Sequence, residues 1–198
     1  MKSTSQDAMK NIKIYGHVSA TPETLAQLLG GVVAVDVDSE ADVAIFAVNP
    51  SAGIDASTIE LWRGYDELQT PRMVLVTVLD GMDMDFDDAV LVANRVFDPL
   101  VTPFLVLHGE SGTPIGTISL EDLSTRDYST NPPSDGHADE ELQLLVKDFQ
   151  DEYLELMVEM EDGAFAAGIL FPAIPINPVN GLGLDIATKY LAELPSSS

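Results

Sequence analysis

The chain has 198 residues, 45% of them hydrophobic and only 7% aromatic, enough for one aliphatic-cored domain or one domain carrying an inserted subdomain. Nine Lys+Arg against 33 Asp+Glu leave a formal charge of −24, a solubilising field that repels nucleic acid, anionic membranes and free polyphosphate and favours basic partners. Cysteine is absent, which excludes disulfides, thiol catalysis and thiolate metal sites; no signal-peptide core or apolar run of membrane-spanning length is visible, so a cytoplasmic protein is expected.

In chain order, residues 1–10 read as a disordered lead-in. Residues 11–15 (NIKIY) alternate like a strand, and 16–24 (GHVSATPET) form a strand-to-helix turn. A helix over 22–29 places Leu25, Leu28 and Leu29 on one face and stops at Gly30-Gly31. Residues 32–37 and 42–48 are β-rich runs, the second nearly continuous in apolar residues, as a strand covered on both faces requires. Residues 55–68 predict a helix, 72–78 (RMVLVTV) a buried strand and 86–97 another helix, which is the βαβ rhythm of a mostly parallel sheet.

The rhythm then changes. Residues 99–120 hold two short β runs joined by the turn-rich GESGTP, a hairpin, and the polar, breaker-rich 126–136 (RDYSTNPPSDG) reads as an exposed loop. Residues 138–160 predict the longest helix, with Leu142, Val146, Phe149, Tyr153, Met157 and Met160 at helical spacing and carboxylates crowding the other face. Residues 169–176 (ILFPAIPI) read as the last core strand and 182–194 as a closing helix.

Outside this rhythm the chemistry-bearing residues form no strong motif. Asp80, Asp83, Asp85, Asp87 and Asp88 are the densest carboxylate cluster, but an EF-hand counted from Asp83 meets Asp88 where Gly belongs and Asn94 where Glu belongs. Acids at a helix N-terminus account for the cluster more simply, and no metal is expected. His17, His108 and His137 stand in no ligand spacing, and no nucleophile elbow occurs, so no catalytic residue is assigned.

The run 44–72, AIFAVNPSAGIDASTIELWRGYDELQTPR, resembles a stretch of the elongation factor G family of translational GTPases, with Gly53, Ile54, Thr58, Trp62, Arg63, Pro71 and Arg72 in register. KNIKIYGHVSATPETLAQLL looks like that family's first strand, phosphate loop and first helix, and FPAIPINPVNGLGLDIATKYLAELPSS like its last strand, guanine-contacting loop and closing helix. Divergent actinobacterial members look most similar. The resemblance implies a three-layer α/β fold of the P-loop GTPase type. A degenerate GTPase-like domain would occupy 11–98 and 163–195, with an inserted α+β subdomain, hairpin plus acidic helix, over 99–162.

The nucleotide site that the resemblance implies is vestigial. A phosphate loop, G-x4-G-K-[ST], needs its second glycine to wrap the phosphates, its Lys on the β/γ oxygens and its hydroxyl on Mg²⁺. In register from Gly16 and His17, those places hold Thr21, Pro22 and Glu23, followed by Thr24. Without the family, Thr21 is an expected N-cap, Pro22 a first helical residue and Glu23 a dipole-favoured acid. The guanine motif stands as Thr77-Val78-Leu79-Asp80, with only Asp80 kept, and Asn177-Pro178 replaces the usual Ser-Ala.

The eleven residues from Gly31 to Ala41 inclusive are too few for switch segments, although Asp36 or Asp38 marks a place for a lost motif's Asp. The expectation is a non-catalytic pseudo-GTPase, binding no cofactor, that serves as a regulatory or binding module of translation with a basic protein or ribosomal component as partner. The alternative is a GTP-binding translation-factor G domain with an altered loop, the first part of a longer protein.

Overall fold

The computed structural model describes residues 9–79, 81–82 and 84–195, so residues 1–8 of the expected lead-in over 1–10, together with Asp80 and Asp83, lie outside the described residues. Strand β1 (Ile12–Gly16) leads through a short 3₁₀ turn into helix α1 (Pro22–Leu29), and β2 (Val32–Val33), β3 (Val43–Val48), α2 (Ala56–Asp66), β4 (Arg72–Thr77) and α3 (Phe86–Ala93) follow. An antiparallel run comes next: β5 (Phe104–His108), β6 (Pro114–Ser119), β7 (Ser124–Asp127) and β8 (Ser134–His137). Helix α4 (Glu140–Val158), β9 (Ala173–Ile176) and α5 (Leu184–Glu193) close the chain.

Strands β2-β1-β3-β4-β9 form one parallel sheet in that order, and β5-β6-β7-β8 a separate antiparallel one. Side chains of the parallel sheet alternate between two cores. Ile14, Ile45, Leu75 and Ile174 face Leu25 of α1 and Ile186 of α5. Tyr15, Phe46, Val74 and Val76 face Trp62 of α2 and Phe86 and Val90 of α3. These are the three layers of an α/β domain, and the double cover explains why β3 and β4 are buried at every residue. Pro175 is accommodated because β9 is the sheet's edge, where a missing N–H breaks no ladder.

A third core joins Leu105 and Ile118 of the antiparallel sheet to Ala138 and Val146 at the start of α4. Here the structure corrects the expected loop over 126–136. Its ends are the paired strands β7 and β8, with Arg126 opposite Asp135 and the two side chains bridged at 2.7 Å. Asn131-Pro132-Pro133 forms only the turn. Strand β8 is exposed throughout, so no apolar alternation marks it in the sequence.

Three helices, α2, α3 and α4, start by one local rule. Asp55, Asp85 and Asp139 each sit in extended backbone and accept from the N–H three residues on, at 2.8, 3.0 and 2.9 Å. Asp85 is thereby a cap within the acidic cluster. The crossover between β2 and β3 is held by a phenol pair: Tyr15 and Tyr65 hydroxyls lie 2.5 Å apart, Tyr15 donates to the Asp36 carbonyl and the Asp38 N–H donates to Tyr65.

Candidate functional site

Parallel strands bring their following loops to one edge of the sheet, where the ligands of open α/β domains sit. Gly16 ends β1 opposite Ala47 of β3, while Thr77 ends β4 opposite Ile176, placing Asn177 in the adjacent loop. The structure places Gly16, His17, Thr21, Thr77 and Asn177 at or just beyond the carboxyl ends of β1, β4 and β9. Asp80, the expected guanine contact, lies outside the described residues.

Gly16 is required there: its φ is +152°, and a Cβ would stand 2.3 Å from the Ala47 carbonyl oxygen. The loop beyond it closes on itself. The Ser19 N–H donates to His17 Nδ1 at 3.2 Å, the Ala20 N–H to the His17 carbonyl at 2.9 Å and the Thr21 N–H to the Val18 carbonyl at 3.0 Å. Ala20 and Pro22 are buried, and Glu23 and Thr24 are exposed.

One expectation is overturned. Thr21 makes no side-chain capping bond; its backbone is left-handed, φ 50° and ψ 49°, and only its carbonyl serves α1, accepting from the Leu25 N–H at 3.1 Å. A β-branched residue in that region is strained, by about 1–2 kcal/mol. The position therefore keeps a glycine-like conformation without glycine. Thr21→Gly is expected to raise stability by up to about 1 kcal/mol after glycine's own entropy cost, as read by urea denaturation.

Asn177 is occupied with its own turn. Its Oδ1 accepts from the Val179 N–H at 2.9 Å, and its backbone pairs with Leu182. Thr77 differs: its hydroxyl is buried without a hydrogen-bond partner among the described residues. Asn49, which sequence reasoning missed, closes the edge by donating from Nδ2 to the Ser19 carbonyl at 3.0 Å while its Oδ1 accepts from the Ser51 N–H. No spacing signal announces it, because the contact joins two loops.

The charged residues lining the cleft beside this edge have one sign. An open cleft of about 470 Å³ runs beside Gly16 and α2, lined by Asp36, Asp55 and Glu60 with no Lys or Arg. Hydrogen bonds from the Thr58 N–H and the Ser57 hydroxyl hold the Asp55 carboxyl below the usual range. Asp38 is likewise held down, by the Glu40 N–H and by Lys13, whose ammonium lies 3.0 Å away. Asp38 and Asp55 are thereby committed to the fold. An anion entering the cleft meets repulsion rather than a cradle.

Of the other histidines, one bonds to backbone and one lies within electrostatic reach of the Asp87 carboxylate. His137 contacts the Asp122 carbonyl through Nε2 at 2.9 Å, and His108 ends β5 with its surface exposed. Among the described residues, no group of three or more His, Asp or Glu side chains is placed to hold a metal ion, and no helix is long and apolar enough to cross a membrane.

No family model matches the chain. It is 24% identical over 172 residues to an elongation factor G-like protein of Mycobacterium tuberculosis, a match covering 75% of this chain and 24% of the relative. An elongation factor G-like protein of Thermotoga maritima is 27% identical over 169 residues, covering 76% and 25%. The mitochondrial ribosome-releasing factor 2 of Anopheles gambiae is 27% identical over 156 residues, covering 74% and 19%. In fold, the chain is similar to a solved structure from Thermus thermophilus, with TM-score 0.73 and 18% identity over 96% of this chain and 41% of that one. The chain therefore spans about a quarter, or less, of the length of these curated relatives.

Proposed function

We infer that this chain, similar over three quarters of its length to elongation-factor-G-like proteins and carrying a divergent form of such a domain, acts as a nucleotide-independent binding or regulatory module of translation. The observation that carries the reading is the turn from β1 to α1. Where a phosphate loop offers glycine, lysine and a hydroxyl, this turn has a self-bonded backbone, a buried Pro22 and an exposed Glu23 carboxylate. A cleft beside it whose charged lining residues are all acids supports the same conclusion.

A partner of basic character, of which a ribosomal component is the natural instance, fits a protein of charge −24. The proposed contact region is residues 99–162. Helix α4 exposes Leu144, Leu145 and Val158 amid carboxylates, an adaptable apolar surface in an anionic setting. A cytoplasmic setting follows from that assignment.

Calorimetric titration with GTP and GDP in the presence of Mg²⁺ tests the reading and is expected to give no saturable heat in the micromolar range. Saturation there would establish the alternative, a GTP-binding domain with an altered loop. Capture by the immobilised protein at moderate salt is expected to recover basic or ribosomal proteins. If none is recovered, the partner assignment fails.

A further inference from the structure

A second cavity lies away from the carboxyl edge and shares none of its residues. It has a volume of about 350 Å³, at the small end of ligand pockets, and opens between the antiparallel sheet, the C-terminal half of α4 and α5. Its walls are aromatic and soft: Phe104 from β5, Tyr153 and Met157 from α4, and Phe165 and Tyr190 packed edge to face with centroids 5.2 Å apart. Its rim is acidic. Glu121, Glu161, Asp162 and Glu193 stand there against the lone ammonium of Lys189, a formal excess of three negative charges.

Aromatic faces carry a negative quadrupole, so rings and carboxylates around one space attract the same ligand, a cation with an apolar body. Anions are repelled by the rim, and a neutral apolar guest gains nothing from the carboxylates. A bare metal ion has no convergent oxygen set here, since no metal-holding cluster exists among the described residues. Partial desolvation pushes the Glu193 carboxyl upward, with Lys189 opposing that shift, so Glu193 is a carboxylate that gains from a counter-charge.

We propose that this cavity is a binding site for a small organic ammonium, its alkyl or aryl body against Phe104, Met157 and Tyr190 and its charge between Glu121 and Glu193. The inference stands apart from the translation reading. Its test uses the full chain with benzylammonium chloride as probe and benzyl alcohol as the neutral isostere, followed by calorimetry and by NMR shifts of the tyrosine rings. The expected result is saturable binding of benzylammonium, weakened at least about tenfold for benzyl alcohol.

Both carboxylates are on exposed residues, so the double variant Glu121→Gln/Glu193→Gln is expected to fold normally by circular dichroism and to lose about tenfold in affinity for the cation. Tyr153→Leu is expected to weaken binding without changing the preference for charge. Three results each overturn the proposal: no saturation by benzylammonium up to about 10 mM, equal binding of the alcohol, or unchanged affinity in the carboxamide variant.

Discussion

Replacing Arg72 by alanine is expected to lower the unfolding free energy by about 3–5 kcal/mol, a large share of a small domain's stability. Arg72 opens β4 and is fully buried, an unusual place for a guanidinium. Its Nη2 donates to Asp66 at 2.8 Å, its Nη1 donates to the Trp62 carbonyl at 3.1 Å, and Asp98 lies 3.5 Å from Nη1. The planar group is sandwiched by rings, 4.7 Å from the Trp62 centroid and 4.3 Å from that of Phe171.

Asp66 and Asp98 are partly exposed and can rehydrate, so the expected loss comes mostly from the cavity and the broken ring contacts rather than from stranded carboxylates. Arg72→Met refills the volume and is expected to cost about half as much, whereas Arg72→Lys keeps the charge but loses the planar stack and the fork. Trp62 is the only tryptophan, so its fluorescence reports both unfolding and the state of the sandwich. A loss for Arg72→Ala below about 1 kcal/mol would refute this account of the core.

The second large effect is expected at Gly183, the residue before α5. Its φ is +82°, and a Cβ would stand 1.8 Å from the carbonyl oxygen of Pro175 in β9. That oxygen belongs to sheet backbone and has no room to retreat, so Gly183→Ala is expected to cost about 3 kcal/mol or more and to displace α5. Gly181 makes the control. Its φ is +84°, yet its Cβ direction is empty to 4 Å, so Gly181→Ala carries backbone strain alone, about 1 kcal/mol. A thermal melt that ranks the two variants equally would mean that the close approach is not what fixes this glycine.

What the sequence discloses follows from how each feature is encoded. Residues 43–48 and 72–77 are apolar because a parallel sheet is covered on both faces, and that compositional imprint is readable without contacts. Helix α1 is bounded by Pro22 and Gly30, local signals that specify its ends to the residue. Strand β8 escapes notice because Ser134, Asp135, Gly136 and His137 are all exposed, so no apolar alternation marks the pairing with β7.

The site divides along the same line. That the turn from β1 to α1 holds Thr21, Pro22 and Glu23, where the phosphate-loop pattern has glycine, lysine and a hydroxyl, is legible in the sequence. That Thr21 nevertheless adopts a left-handed backbone is not, since threonine's own preferences point elsewhere. Asn49, joining two loops, and the Tyr15–Tyr65 pair, 50 residues apart in the chain, are long-range contacts that no local spacing encodes.

The hairpin of β7 and β8 is anchored to the closing helix at one carboxylate. Tyr128 donates to Asp185 Oδ1 at 2.5 Å while Arg126 approaches Oδ2 at 3.3 Å, and the Arg126 guanidinium in turn grips Asp135 of β8. Asp185 lies in the first turn of α5, directly beyond Gly183 and its tight approach to β9. The connecting chain is therefore not the only tie between the antiparallel sheet and the rest of the fold: Arg126 and Tyr128 fasten it at one carboxylate to the first turn of α5, next to the edge of the parallel sheet.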